Sequence, residues 1–186
     1  MLGRDRREER REERRDERAA FGVRGDATRY QMREKLLSIG DDSWIEDQGG
    51  RRAFKVNGKA LRIRQTLVLE DPNGTELLRI QDRPVRVRET MEVEDPSGRT
   101  VATVKKAMIS PLRERFGVDL SGGGQWSAQG NITDHEYEIE ADGRKIAEVS
   151  KKWFRVRDTY GVEVVPGGND ILVLAVAVCI DSMTRG

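Results

Sequence analysis

Basic side chains cluster at two places in the chain, and they are the residues best suited to bind a ligand. The first cluster is Lys105-Lys106, and the second combines Lys151-Lys152 with Arg155 and Arg157. Two aromatic residues, Trp153-Phe154, lie within the second cluster. Lysine and arginine bind phosphate oxygens and anionic lipid headgroups, and an amphipathic aromatic ring beside them suits the membrane interface. These six basic residues are therefore the candidate ligand-binding residues.

A charged outer wall of a β-sheet is the alternative interpretation of the same residues. Acidic residues alternate with arginine and lysine along much of the chain, which is typical of a solvated face whose ion pairs contribute little each. Adjacent residues of a strand also point to opposite faces, so only one of Lys151 and Lys152 could join a single patch. A ligand-binding patch and a plain charged wall both stay open.

The sequence predicts no catalytic residue, metal site or cofactor, and therefore not an enzyme. His135 and Cys179 are the only His and Cys, which excludes His clusters, multi-Cys metal sites and a disulfide framework. His135 opens a predicted strand after a polar stretch, so we expect it on the surface. Cys179 lies in an apolar run, so we expect it buried and inert. The run Gly122–Gly124 lacks the Lys-Ser/Thr of a phosphate-binding loop, and no hydrolase or zinc-protease motif is present.

The overall composition limits the class of partner. The chain has 186 residues with 34 Lys+Arg and 33 Asp+Glu, for a formal net charge of +1. A general nucleic-acid binder usually has a large basic excess, so we expect no nucleic acid among the partners. The length is sufficient for one domain with a hydrophobic core. Charged residues make up 36% of the chain, so this domain must have a highly charged surface.

Residues 1–26 are predicted to form a charged, flexible or partly helical arm, and residues 27–186 the folded domain. Within the arm, residues four apart carry like charges, as in Arg6–Arg10 and Glu8–Glu12. Each such pair costs a helix about 0.2–0.5 kcal/mol, so we expect no stable helix. The arm also lacks the apolar stretch of a signal peptide, so we expect a cytoplasmic protein. Peripheral association with a membrane is compatible with this expectation.

From Tyr30 onward, short runs alternate between apolar and charged residues, which predicts strands with one buried and one solvated face. The sequences Leu69–Gly74 and Val93–Gly98 both contain Asp-Pro-x-Gly, a β-turn signal, and thus predict hairpins. The predicted strands are Tyr30–Leu37, Ser43–Glu46, Ala53–Val56, Leu61–Glu70, Glu76–Gln81, Val85–Glu94, Thr100–Met108, Arg115–Leu120, Trp126–Gly130, His135–Ala141, Lys145–Phe154 and Tyr160–Val165.

The C-terminal segment predicts a helix that is buried on all sides. Pro166-Gly167-Gly168 ends the last strand, Asn169 is suited to cap a helix, and Ile171–Ile180 is entirely apolar. A bilayer span needs about 20 apolar residues, so we expect no transmembrane helix. A helix that is apolar all round must be surrounded by protein. The simplest arrangement is a closed antiparallel barrel with this helix at its centre, because closure leaves no strand edge exposed.

These elements resemble, in their order, the LURP-one-related family, whose fold is shared with the tubby C-terminal domain and the phospholipid scramblases. The resemblance rests on Tyr30–Lys35 at the first strand, Phe54–Lys59 before the fourth, the Asp-Pro-x-Gly hairpins and the apolar helix. It covers about Tyr30 to Thr184. It implies an all-β fold with one helix: an antiparallel closed barrel of about 12 strands around a central hydrophobic C-terminal helix.

The resemblance to lipid-binding tubby domains, together with the basic clusters, favours a non-enzymatic binding or scaffold module. Its expected partners are anionic phospholipid headgroups or other phosphate ligands, bound peripherally, or a protein partner. Two alternatives stay open. One is a soluble protein–protein interaction domain without lipid binding. The other is a scramblase-like membrane protein, against which the short helix and the absence of Cys-rich and Ca²⁺-binding features count.

Overall fold

The computed structural model describes residues 27–33, 43–61, 64–85, 88–107, 115–154 and 158–184. Over these residues the chain forms twelve β-strands and one helix, as the resemblance implies. The N-terminal arm, residues 1–26, lies outside the described residues. The elements are β1 Thr28–Arg33, β2 Ser43–Asp47, β3 Arg52–Leu61, β4 Arg64–Glu70, β5 Glu76–Val85, β6 Arg88–Glu94, β7 Thr100–Ala107, β8 Arg115–Leu120, β9 Gln125–Asn131, β10 Glu136–Ala141, β11 Arg144–Ser150, β12 Thr159–Val164 and α1 Asp170–Thr184.

All twelve strands form one closed antiparallel barrel. Each strand pairs with its neighbour in the chain, and β1 pairs with β12 to close the ring. The closing register places Tyr30 opposite Val162, and on its other side Tyr30 lies opposite Asp47 of β2. Since every strand has two partners, the sheet has no open edge. The prediction of a closed antiparallel barrel is confirmed.

Alternation along the strands separates the core from the charged wall. Val104, Val118 and Ile139 are 0–1% exposed and point into the barrel. The residue after Val104, Lys105, is exposed on the outside. The period of two therefore accounts for a chain that is both well packed and 36% charged.

The Asp-Pro-x-Gly turns form as predicted. The Oδ1 atom of Asp95 accepts hydrogen bonds from the backbone N–H groups of Ser97 and Arg99, at 2.9 and 3.1 Å. Gly98 follows with φ 83°, a conformation that glycine adopts without strain. The Ser97 hydroxyl, together with the bonds from Arg99, lowers the pKa of Asp95 to about 2. Asp71 forms the same turn in the preceding hairpin.

Helix α1 fills the interior of the barrel. Asn169 caps it as predicted, because its Oδ1 atom accepts the N–H of Leu172 at 3.1 Å. All residues from Val173 to Ile180 are 0–1% exposed. At the first residue of the helix, Asp170 accepts a hydrogen bond from the Tyr30 hydroxyl at 2.6 Å. This bond fixes the start of the helix against β1.

The two ends of α1 define two rims of the barrel. The upper rim is where α1 begins, and it contains the connections 48–51, 71–75, 95–99, 121–124, 142–143 and 165–169. The lower rim is where α1 ends. The odd-numbered strands run towards the lower rim and the even-numbered strands run back towards the upper rim, because all pairings are antiparallel.

One predicted strand is too long. The prediction for Lys145–Phe154 is wrong at its C-terminal end, because β11 ends at Ser150 and the next residues form a turn. The cause is the carboxylate of Glu136, whose Oε1 accepts the backbone N–H groups of Lys151 and Lys152 at 2.9 and 3.1 Å. Those donors are taken by a side chain of β10, so the two lysines do not lie in a strand.

Candidate functional site

The described candidate residues all lie at the lower rim. Lys105 and Lys106 are near the end of β7, and Lys151 and Lys152 directly follow the end of β11. The strands β8, β9 and β10 lie between them. Four strand spacings of about 4.8 Å separate the two pairs by about 19 Å along the wall. The candidate residues therefore occupy an arc of the rim. Arg155 and Arg157 lie outside the described residues.

The two lysines of β7 face in different directions. Lys105 points outwards, and its Nζ lies 2.6 Å from the Oδ2 atom of Asp119. This ion pair lowers the pKa of Asp119. Lys106 lies opposite the buried Phe116 in the register, so it occupies an inward-facing position at the mouth of the barrel. Its Nζ lies 3.7 Å from Glu89.

Glu136 organises the lysines that follow β11. Its carboxylate accepts the Ser150 hydroxyl at 3.0 Å in addition to the two backbone N–H groups of the turn. The Nζ of Lys152 lies 3.3 Å from the same carboxylate, while the Lys152 side chain remains 80% exposed. The turn is therefore fixed in position although its lysine side chain extends into solvent.

The aromatic residue next to these lysines packs on the barrel wall. The guanidinium carbon of Arg29 lies 5.3 Å from the ring centroid of Trp153, a cation–π geometry. Arg29 is 4% exposed and also forms an ion pair with Glu163. Trp153 is thus packed against a side chain of β1.

The two rims differ in charge among the described residues. In the three outermost residues of each strand and the described connections, the lower rim has ten basic and six acidic residues, and the upper rim six basic and twelve acidic. The lower-rim basic residues are Arg33, Lys59, Arg64, Arg83, Arg88, Lys105, Lys106, Arg115, Lys151 and Lys152; the acidic ones are Glu89, Asp134, Glu136, Glu138, Glu148 and Asp158. The upper-rim acidic residues are Glu46, Asp47, Glu70, Asp71, Glu76, Glu92, Glu94, Asp95, Asp119, Glu140, Asp142 and Glu163; the basic ones are Arg29, Arg51, Arg52, Arg99, Arg144 and Lys145.

This separation of charge lies along the barrel axis. By residue position, a nearly neutral protein therefore has more basic residues towards one end and more acidic residues towards the other. The two sets are joined by the ion pairs Lys105–Asp119, Arg83–Glu92 and Lys145–Glu138. The helix dipole of α1 runs the other way, but it amounts to only about half an elementary charge at each end. The strand termini dominate, so the lower rim is the end that favours anionic ligands.

The prediction that His135 lies on the surface is wrong. His135 is 9% exposed, and its Nε2 atom lies 2.8 Å from the Oδ1 atom of Asp181 near the end of α1. Its ring stacks on Tyr160 with centroids 4.3 Å apart. Asp181 is 3% exposed, so a buried carboxylate is matched by a polar partner. The sequence signal for such a partner was Asp181 itself, a charged residue that directly follows the ten apolar residues Ile171–Ile180.

The thiol of Cys179 and the hydroxyl of Tyr137 are both enclosed by the fold. Cys179 is fully buried as predicted, and burial raises the pKa of its thiol. Tyr137 is also buried, and desolvation together with the negative charge of Asp181 raises the pKa of its hydroxyl. Across the described ranges, no group of three or more His, Cys, Asp and Glu side chains is placed to hold a metal ion.

A depression of about 470 Å³ lies on the outer wall across β8, β9 and β10. Gly117 contributes to it, since a Cβ atom there would meet nothing within 4 Å. Arg115, Ser127 and Glu140 are among its lining residues. The charges around it are mixed, so it favours no ligand charge.

Among the described residues, the structure contains no helix that is long and apolar enough to cross a membrane.

A closed twelve-stranded barrel around a buried C-terminal helix defines the structural class of this protein. The sequence profile of the LURP-one-related family matches residues 28–181, so the chain belongs to the LURP-one-related family. A solved X-ray structure of an Arabidopsis thaliana protein is similar, with a TM-score of 0.66 and 18% identity. The similarity covers 86% of this chain and 92% of the Arabidopsis chain, and at this identity it shows the fold alone. No curated protein matches the chain.

Proposed function

We propose that this protein is a non-enzymatic binding module for anionic, phosphate-bearing ligands, and that it binds them through the basic residues of the lower rim. The observation that carries the proposal is the separation of charge between the two rims. Lys105, Lys106, Lys151 and Lys152 lie at the basic end, and Arg155 and Arg157 belong to the connection that follows β11.

The state of the possible catalytic groups supports a binding role. The only His of the chain lies against a buried aspartate, and the only Cys lies inside the barrel. A thiol whose pKa is raised by burial is a poor nucleophile, because the thiolate is the reactive form. The fold therefore encloses the side chains that most often perform covalent or general-base chemistry.

The affinity is expected to be weak and sensitive to salt. A basic residue near an anionic membrane surface contributes about 1 kcal/mol. Three of the candidate lysines already lie near carboxylates, at Asp119, Glu89 and Glu136, which offsets part of the attraction. Such exposed ion pairs are worth only about 0–1 kcal/mol, so a phosphate can compete for the lysines. The screening length is about 10 Å at 0.1 M salt and shortens further as salt is added.

Vesicle flotation tests the proposal. The protein is mixed with phosphatidylcholine vesicles that contain or lack phosphatidylserine, at low and at high salt. In a further arm, inorganic phosphate is added as a soluble competitor. Flotation is expected only with phosphatidylserine and low salt, and competition by phosphate would show that free phosphate occupies the same residues.

The decisive variant is Lys151→Glu/Arg155→Glu, with Arg144→Glu/Lys145→Glu at the upper rim as a control of equal charge change. The lower-rim variant should lose at least about 2 kcal/mol, or about thirtyfold in affinity, while the control should float like the wild type. Absence of flotation at low salt, or equal flotation of the wild type and the lower-rim variant, would contradict the proposal and favour a protein-binding barrel.

A further inference from the structure

We infer that the turn after β11 contains an anion site occupied by the carboxylate of Glu136, and that a phosphomonoester binds there in its place. We call this site the anion cradle. It consists of the Ser150 hydroxyl, the backbone N–H groups of Lys151 and Lys152, and the ammonium group of Lys152. The inference rests on the proposed function, and it adds the atoms that contact the phosphate and the role of Glu136 as a competitor. All of these atoms belong to described residues.

The donors of the anion cradle converge on one carboxylate. The consecutive N–H groups of Lys151 and Lys152 donate to the Oε1 atom of Glu136, at 2.9 and 3.1 Å. The Ser150 hydroxyl lies 3.0 Å from each carboxylate oxygen, and the Nζ atom of Lys152 lies 3.3 Å from Oε2. Consecutive backbone N–H groups that point at one place form a nest, an arrangement that binds anions in many proteins.

Contacts other than those with Glu136 also hold the donors in place. Ser150 is 3% exposed, and its Oγ atom accepts the N–H of Lys152 at 3.2 Å. The N–H of Phe154 donates to the carbonyl oxygen of Lys151 at 3.1 Å, which closes the turn. We therefore expect the backbone donors to keep their positions when a different anion replaces the carboxylate.

The carboxylate that occupies the cradle comes from another strand. At the upper rim, Asp71 and Asp95 bind N–H groups two and four residues further on, so each carboxylate and its donors form one local unit. Glu136 belongs to β10 and lies 15 residues before Lys151. Its side chain is 23% exposed, so it has a path into solvent that leaves the backbone donors in place. The cradle and its occupant are therefore separable.

The chemistry of the cradle favours a phosphomonoester over a carboxylate. A carboxylate in solution offers the same oxygens as Glu136 but is not tethered beside the donors, so it competes poorly. A phosphomonoester carries about −1.5 to −2 charges at pH 7 and three acceptor oxygens. These oxygens can engage the two N–H groups, the Ser150 hydroxyl and the Lys152 ammonium group separately. Soluble phosphomonoesters and the lipid phosphatidic acid share this chemistry.

Three other acids close to Glu136 in the sheet or the chain have partners of their own. Glu138 and Glu148 both contact the Nζ atom of Lys145, at 3.2 and 2.8 Å. Asp134 accepts a hydrogen bond from the side-chain amide of Asn131 at 2.7 Å. These partners reduce the repulsion of an incoming anion, so Glu136 is the acid whose displacement limits binding.

The test compares Glu136→Gln with the wild type. Glutamine retains an acceptor oxygen for the turn but removes the negative charge, so the fold is expected to persist while the competitor is weakened. Glu138→Gln is the matched control, because it removes the same charge two residues further along β10. The amide NMR signals of Lys151 and Lys152 are followed while sodium phosphate replaces sodium chloride at constant pH and ionic strength. The amide of Asn73, which donates to a carboxylate within a local turn, is the internal control.

Saturable shifts of the Lys151 and Lys152 signals are expected in the wild type, and the Asn73 signal is expected to stay unchanged. Glu136→Gln is expected to bind phosphate about tenfold more tightly, since a charge-assisted competitor is removed. Glu138→Gln is expected to bind like the wild type. Absence of a saturable shift in the wild type would overturn the inference even if Glu136→Gln does not fold. An equal gain in affinity in both variants would overturn the role of Glu136 and leave net charge as the cause.

Vesicle flotation distinguishes the source of the phosphate. Phosphatidic acid presents a terminal phosphomonoester, whereas phosphatidylserine presents a phosphodiester. Stronger flotation of Glu136→Gln than of the wild type, on phosphatidic acid only, would assign a lipid ligand. Amide shifts with inorganic phosphate but no such gain in flotation would assign a soluble phosphomonoester. Wild-type flotation on phosphatidylserine without any shift of the Lys151 and Lys152 signals would overturn the anion cradle and leave the proposed function intact.

Discussion

The buried pair of His135 and Asp181 should be one of the most sensitive points in the structure. The pair joins the last part of α1 to the connection between β9 and β10, across 46 residues of sequence. Asp181 is 3% exposed, so removing the imidazole leaves a carboxylate inside the protein without this partner. Leaving a buried polar group without its hydrogen-bond partner typically costs about 1–3 kcal/mol.

His135→Asn is the most informative single substitution. His135 has a positive φ of 54°, and asparagine tolerates this conformation better than most residues, so the change tests the side chain with little added backbone strain. At about 2–4 °C per kcal/mol for a protein of this size, a loss of about 3 kcal/mol lowers the melting temperature by about 6–12 °C. Asp142→Asn is the matched control, because Asp142 is an exposed residue with φ 50°. It should shift the melting temperature very little.

A double-mutant cycle separates the pair from the loss of stacking on Tyr160. Urea unfolding of His135→Asn, Asp181→Asn and the double variant gives the coupling energy between the two side chains. For a contact of 2.8 Å between two buried groups, we expect a coupling energy of about 1–3 kcal/mol. A coupling energy close to zero, or a His135→Asn variant as stable as the wild type, would refute the reasoning.

Three further predictions concern the barrel. Gly130→Ala should lower the free energy of unfolding in urea by about 3 kcal/mol, because a Cβ atom there would lie 2.6 Å from a backbone oxygen. Gly117→Ala should be nearly neutral, since a Cβ atom at Gly117 would meet nothing within 4 Å. Equal stability of the two variants would contradict this. Leu174→Ala should lose about 2–5 kcal/mol, since Leu174 is fully buried in α1, and a loss below 1 kcal/mol would argue against a packed helix. Ser97→Ala should raise the pKa of Asp95 from about 2, measured by carboxyl NMR. A carboxyl group with a lowered pKa stabilises the fold at pH values above the ordinary pKa of Asp, and this stabilisation is lost as the pH falls towards 2. Ser97→Ala should therefore weaken the pH dependence of stability in that window.

The elements that could be predicted from the sequence are those determined by local interactions. Asp95 and its hairpin form as predicted because the turn is built from bonds between residues two and four apart. The cap at Asn169 likewise involves a neighbour three residues on. Barrel closure then follows for two reasons: the twelve strands leave no room for a second sheet, and the apolar helix must be enclosed.

The errors arise from contacts between residues far apart in sequence. The early end of β11 is due to Glu136, which lies 15 residues before Lys151, and no local pattern at Lys151 indicates it. The burial of His135 depends on Asp181, 46 residues later. The charge difference between the rims was not predicted either, although the sequence contains the signal. Once alternate strands are assigned opposite directions, the basic residues at the ends of odd strands and the starts of even strands fall at one end.

Within the described residues, α1 fills the interior of the barrel, and its residues from Val173 to Ile180 are 0–1% exposed. We therefore expect recognition at the outer wall and the rims. At the upper rim, the acidic residues have a structural reason: Asp47, Asp71 and Asp95 each accept backbone N–H groups in a turn. Basic side chains have no such role, since they carry no acceptor and cannot form this type of turn. The basic lower rim is therefore the part of the charge separation that the turns do not explain, and it is there that a ligand-binding function is expected.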